Sequence, residues 1–264
     1  MLNCPAFANL SPGSVPALRV RAAKAAPILS VVAALLLGGC ATPQRPDPLE
    51  AMNRKVFGLN ETIDKAVMAP VARGYERVVP EPVRGGVRNF FANPRDLGSG
   101  VNLVLQGRPK EGLTDLARVA TNTTVGVLGV FDVATPLGLP RHSADLGQTL
   151  GRWGVGSGAY VVLPLLGPST VRDTANVPVD MALTPQNFVS NSALGGGLSA
   201  LQFASKRADL LPATRLLDDA ALDRYLFVRD TYLQRRQSLV LGASQPERSD
   251  DGSNDSVATP ATSH

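Results

Sequence analysis

Apolar side chains recur at steps of three and four along much of the chain, and proline or glycine interrupts the pattern at almost every boundary, which predicts a mainly α protein of short helices. The first clear period runs through Leu49, Met52, Val56, Leu59, Ile63 and Val67 and stops at Pro70. Asp47 is placed to cap it, with Pro48 at the first helical position and Glu50 at the third. Further helical runs are expected before Pro80, over about 82–91, and from Pro94 to near Gly107. Pro109 opens a longer run to about Ala134, on which Leu113, Leu116, Ala117 and Ala120 share a face. Residues 159–166 read as extended or loop-like, since Pro164 interrupts them. From Pro212 to Gly242 the helical period returns, with Leu217, Ala221, Tyr225, Val228 and Tyr232 on one stripe.

One segment is apolar without any period. Ala25 to Leu37 follows Arg19, Arg21 and Lys24, is interrupted only by Pro27 and Ser30, and ends in Gly38, Gly39 and Cys40. This is the pattern of a secretory leader, and it falls short of the roughly 20 residues a spanning helix needs. LGGC (37–40) resembles the lipobox of bacterial lipoproteins, which makes Cys40 the expected acylation site. Two buried acyl chains anchor a protein stably where one does not. An aspartate after the cysteine retains such proteins in the inner membrane; Ala41 stands there instead, so the resemblance implies the inner leaflet of the outer membrane. Cys4 falls within the leader, which leaves no disulfide to form. The expected organisation is a leader (1–39), an acylated tether (40–46), one helical domain (47–242) and a polar, acidic tail (243–264), with both ends mobile.

Composition narrows the function classes. Of 264 residues, 44% are apolar and 18% charged, which excludes a disordered, collagenous or disulfide-framework protein. The formal charge is +4, but Arg19, Arg21 and Lys24 supply three of those charges, and +1 remains after the leader. That is too little for phosphate neutralisation along a nucleic acid. With two histidines and two cysteines, neither a metal site nor a cofactor is expected. Gly154, Gly156 and Ala159 satisfy G-x-G-x-x-A, yet Pro164 and Pro168 break the helix a nucleotide fingerprint requires, so the glycines read as a flexible or tightly turning loop. His142, Ser143 and Asp145 are the residue types of a hydrolytic triad, but no G-x-S-x-G elbow accompanies them. Residues 119–131 and 181–205 contain no ionisable side chain, and two readings stand: a buried core, or helices that face lipid or line a cavity for it.

In DPLEAMNRKVFGLNETID (47–64), core packing explains the apolar face but not Asn53, Arg54, Phe57 and Asn60. Here the sequence resembles the MlaA (VacJ) family of outer-membrane lipoproteins. The resemblance continues through VNLVLQGRPKEGLTDLARVATNTTVGVLGVFDVA (101–134), GQTLGRWGVGSGAYVVLPLLGPSTVRD (147–173) and DRYLFVRDTYLQRRQ (223–237). It implies a ring-like bundle of short amphipathic helices embedded in one leaflet around an amphipathic channel, without catalytic chemistry. It further implies association with a trimeric porin, and removal of phospholipid mislocalised in the outer leaflet to a soluble periplasmic carrier. The family motif falls on Asn53, Arg54, Phe57, Asn60, Asn102, Arg118, Asn122 and Asp132, and later on Arg172, Asp173 and Arg229. The asparagines and arginines are candidates to contact the head group or hold the ring shut; Arg118 and Arg172 equally suit ion pairs with Asp132 and Asp173. Gly151, Gly154, Gly156 and Gly158 form the candidate gate loop. The same helices also suit a structural lipoprotein that braces a porin or the envelope and transports nothing.

Overall fold

The computed structural model describes residues 47–242. The leader, Cys40 with its tether, and the tail from 243 lie outside the described residues. The chain runs α1 (Glu50–Ile63), a π-helical turn (Asp64–Met68), α2 (Ala69–Val78), α3 (Glu81–Leu105), α4 (Pro109–Thr124), α5 (Leu146–Arg152), β1 (Tyr160–Leu163), β2 (Gly167–Thr170), α6 (Val171–Thr174), α7 (Val177–Ala182), a 3-10 turn (Pro185–Phe188), α8 (Ser192–Ala220) and α9 (Arg224–Leu241). It is mainly α, as expected, and the helices are longer than the prolines suggested.

Pro70 does not stop the first helix. The π turn directly before it lets the Ala69 N–H bond the Asp64 carbonyl, five residues back, and helical backbone continues to Val78. Arg207 of α8 clamps that turn, reaching both carboxylate oxygens of Asp64 at 2.5 and 2.7 Å. Pro94 likewise lies inside α3, joining the two expected runs into one. A mid-helix proline costs about 3 kcal/mol, and contacts on both sides of it offset that cost. Asn93 donates to Thr123 Oγ1 at 2.8 Å and Ser99 to Asp115 at 2.7 Å, both on α4. Pro212 is carried within α8 in the same way, where Ala208 and Leu211 pack on Ala69 and Ala72 of α2. The stripe expected from Leu217 to Tyr232 is therefore split between two helices by the break at 221–223. In contrast, the run from Pro109 ends at Thr124, ten residues early, in a turn where Val127, Leu128 and Gly129 all take positive φ.

The extended stretch is a hairpin. Tyr160 lies opposite Thr170 and Leu163 opposite Gly167. A two-stranded sheet leaves an open edge, and here α1 closes it. Asn53 donates to the Tyr160 carbonyl at 2.9 Å and accepts from the Val162 N–H at 2.9 Å. Two turns along the helix, Asn60 donates to the Leu163 carbonyl at 3.0 Å and accepts from the Leu165 N–H at 2.9 Å. Asp47 does not cap α1, which starts at Glu50 with Leu49 as its N-cap. Its carboxylate instead takes the Leu49 N–H, the Asn53 amide and the Tyr225 hydroxyl.

Burial is inverted relative to a water-soluble helical protein. On α1 the expected apolar face lies partly outside: Met52, Leu59 and, in the π turn, Val67 are exposed, Val56 packs on the Tyr160 cluster, and Asn53 is enclosed. On α4 the exposed residues include Leu113, Ala117 and Ala120, and the enclosed stripe is Gly112, Asp115, Arg118 and Asn122. The largest fully enclosed side chains are Arg118, Tyr160, Leu103, Asn53, Asn122, Thr149, Thr170 and Asp115, most of them polar. The charge-free segments expose most of their large apolar side chains, Val125, Val127, Leu128, Phe131, Phe188 and Leu194 each at least 60%, and bury polar ones such as Asn122, Gln202 and Ser205. Among the described residues, no helix is long and apolar enough to cross a membrane.

Candidate functional site

The polar interior is built in three linked groups. In the first, Arg118 of α4 is fully enclosed. Its guanidinium donates to Thr135 Oγ1 at 2.9 Å, to the Leu139 carbonyl, and to Asp132 at 3.0 Å, and it lies 3.7 Å from Asp96. Asn122 completes the group by accepting the Val133 and Ala134 N–H groups at 2.9 Å and donating to Asp132 at 3.2 Å. Burial alone raises the pKa of Asp132, but the Thr135 hydroxyl and N–H and the Arg118 guanidinium outweigh it and hold the acid at about 2.

The second group joins α5, α6 and α9. Arg236 donates to both Asp145 and Asp173, with Nη2 at 2.9 Å from each, and Tyr232 donates to Asp173 at 2.9 Å. Arg172 pairs with Asp173 at 3.0 Å. A Cβ on Gly147 would stand 2.5 Å from Asp173 Oδ1 and 2.7 Å from Arg236 Nη2, so the close approach of α5 requires glycine there. Arg54 and Phe57 reach the start of α9. The Arg54 guanidinium sits 4.5 Å over the Tyr225 ring and 2.9 Å from Asp223, and Phe57 meets Tyr225 edge-on at 5.6 Å. Arg229, 3.9 Å from Asp47, ties α9 back to the start of the domain.

The third group lines a cavity of about 280 Å³ between α3, the 141–145 segment and α7, walled by Arg95, Asp96, Ser99, Asn102, Arg141, His142, Ser143, Asp180 and Leu183 among others. Asn102 thus faces open space, with its carbonyl accepting from Thr149 at 2.6 Å. His142 Nδ1 pairs with Asp115 at 3.0 Å, and Ser99, not Ser143, is the hydroxyl bonded to that aspartate. Asp145 is engaged as the α5 cap and by Arg236. His142, Ser143 and Asp145 are therefore not assembled into a triad. Arg95, Asp96 and Arg141 were missed in the sequence; the signal was that Arg95 and Asp96 are the only ionisable residues between Asn89 and Leu105.

Burial pushes the Asp96 carboxyl up to about 6, against the attraction of Arg141 at 3.1 Å and of Arg118. A raised acid stabilises the fold fully below its unfolded value of 3.8 and loses that contribution as pH rises through about 6. The stability of the wild type relative to Asp96→Asn should therefore fall by roughly 2 kcal/mol between pH 4 and 7, at about 1.36 kcal/mol per unit. Parallel denaturant titrations of the two proteins across that range measure it. Asp132 does not blur the comparison, because its own contribution is lost only below 3.8, towards about 2.

The glycine segment divides. Gly151 lies in α5, where a Cβ would stand 2.8 Å from both Arg172 Nη1 and Val240 Cγ2. Gly154 (φ +92°) and Gly158 (φ +68°) hold left-handed turns, and Gly156 stands in open space. A strand follows, not the helix that a nucleotide fingerprint needs.

Residues 45–239 match the sequence model of the MlaA lipoprotein family. The intermembrane phospholipid transport system lipoprotein MlaA of Shigella flexneri is 37% identical, over 78% of this chain and 85% of its own. The protein of the same name from Escherichia coli K12 is 35% identical over the same shares. An uncharacterized protein of Rickettsia felis is 32% identical over 74% of this chain and 78% of its own. A solved structure described as "Structural basis for maintenance of bacterial outer membrane lipid asymmetry" shares the fold with a TM-score of 0.65 and 34% identity, covering 74% of this chain and all of that one. With the match spanning almost all of the described residues and the helical fold in common, the chain belongs to the MlaA lipoprotein family.

Proposed function

We propose that this protein is a non-catalytic phospholipid transporter of the outer membrane, anchored through Cys40 and embedded in the inner leaflet. It withdraws phospholipid that has strayed into the outer leaflet and passes it to a periplasmic carrier, in association with a trimeric porin. The observation that carries this reading is the inversion of burial: asparagines, arginines and aspartates inside, valines, leucines and phenylalanines outside. Exposed apolar side chains in this number are unfavourable in water and suit hydrocarbon. A head group cannot cross hydrocarbon cheaply, since burying unpaired polar or charged groups costs several kcal/mol. A polar-lined ring supplies the missing partners while the acyl chains stay in oil. Asn102, on the cavity wall, is our candidate for lipid contact, whereas Asn53, Asn60, Arg118 and Asn122 act by keeping the frame closed. The segment 154–158, bounded by the left-handed Gly154 and Gly158, is our candidate gate.

A strain lacking the gene is expected to accumulate surface-exposed phospholipid several-fold and to become sensitive to detergent with chelator, with both restored by the wild-type chain. Chemical labelling of outer-leaflet aminophospholipid measures it. Normal outer-leaflet composition in the deletion strain, with the protein still bound to porin and free of lipid, would establish the bracing role instead.

A further inference from the structure

Arg95 differs from Arg141, the other arginine on the cavity wall. It lines the cavity and is partly buried, yet among the described residues no carboxylate pairs with it. The acids beside it are engaged elsewhere: Asp96 with Arg141 at 3.1 Å, Asp145 with Arg236. The Lys206 ammonium on α8 is near enough to feel Arg95. Protein packed around that ammonium, together with the charge of Arg95, pushes it down to about 8, although the residue as a whole is exposed, and Asp180 opposes the shift only in part. Two neighbouring cations against one exposed acid form an arrangement that an anion between them would relieve. Ser143 adds a neutral hydroxyl donor to the same wall. Val179 and Leu183 give the wall an apolar side. A guanidinium offers paired N–H donors matched to phosphate oxygens.

We infer that this cavity seats a phosphate group, with Arg95 as its principal ligand and Ser143 as a supporting donor. In the transport reading proposed above, on which this rests, the phosphate is the diester of a phospholipid head group.

The test uses the full acylated chain in a maltoside detergent. It is titrated calorimetrically with short-chain phosphatidylglycerol and, separately, with inorganic phosphate, for the wild type, Arg95→Gln, Arg95→Lys and, away from the cavity, Arg77→Gln. Lipid binding is expected to weaken at least tenfold in Arg95→Gln and less in Arg95→Lys, and to be unchanged in Arg77→Gln, with helical circular dichroism the same in all four. Equal lipid affinity in wild type and Arg95→Gln overturns the seat. Binding of inorganic phosphate without binding of the lipid overturns its assignment to a head group. Outer-leaflet labelling in the deletion strain judges transport independently: a strain that still needs the wild-type chain while Arg95→Gln binds normally rejects the seat and leaves transport standing.

Discussion

Replacing Arg118 with methionine is expected to destabilise the fold by about 3–5 kcal/mol, the usual cost of removing one partner from a buried ion pair. The guanidinium is fully enclosed and joins Asp132, Thr135, the Leu139 carbonyl and Asp96. Methionine fills much of the volume but leaves the half-buried Asp132 carboxylate without its cation. Thermal or denaturant unfolding in detergent measures the loss. In the double variant Arg118→Met/Asp132→Asn, part of it should be recovered, since no charge is then stranded. If the two single losses simply add, the ion pair is not the source of the effect.

Asn53→Leu should cost about 2–4 kcal/mol, because the Tyr160 carbonyl and the Val162 N–H each lose a partner at the edge of the hairpin. Both atoms are interior, so water does not replace the amide cheaply. Asn60→Leu removes the equivalent pair from Leu163 and Leu165 with a smaller effect, since Leu165 lies in the exposed turn. Hydrogen exchange at the Val162 amide reports the difference directly. It should accelerate strongly in Asn53→Leu and little in Asn60→Leu.

The reading of the sequence succeeded where local chemistry decides the outcome. Helix content, the extended stretch at 159–166 and the pairing of Arg118 with Asp132 and Arg172 with Asp173 were all legible from residue types and order. It failed where tertiary contact overrides local preference. Pro70 is read as a stop and Pro94 and Pro212 as starts, and each is carried inside helical backbone that neighbouring helices hold in place. Gly100 and Gly112, inside the two expected runs, mark the crossing of α3 and α4. A Cβ on Gly112 would stand 2.7 Å from the Gly100 carbonyl. The apolar face of α1 was assigned to core packing, the rule for water, whereas Asn53 is the enclosed residue and Met52 and Leu59 are exposed; on α4 the enclosed side is the polar one. Periodicity gives the existence of a face, and only the surrounding solvent gives its direction. The cavity escaped notice because its wall comes from α3, α7 and a segment some 45 residues away, which no spacing rule connects.

The inverted burial also bears on how this protein responds to temperature. Exposing apolar area to water raises heat capacity by about 0.45 cal/mol/K per Å², and exposing polar area lowers it by about 0.26. A chain that opens to reveal amides, carboxylates, hydroxyls and guanidinium groups alongside two small apolar clusters has a smaller unfolding increment than one with an all-apolar core, so its stability curve is broader and flatter. Such a protein tolerates wide swings between cold and warmth with little change in the fraction folded.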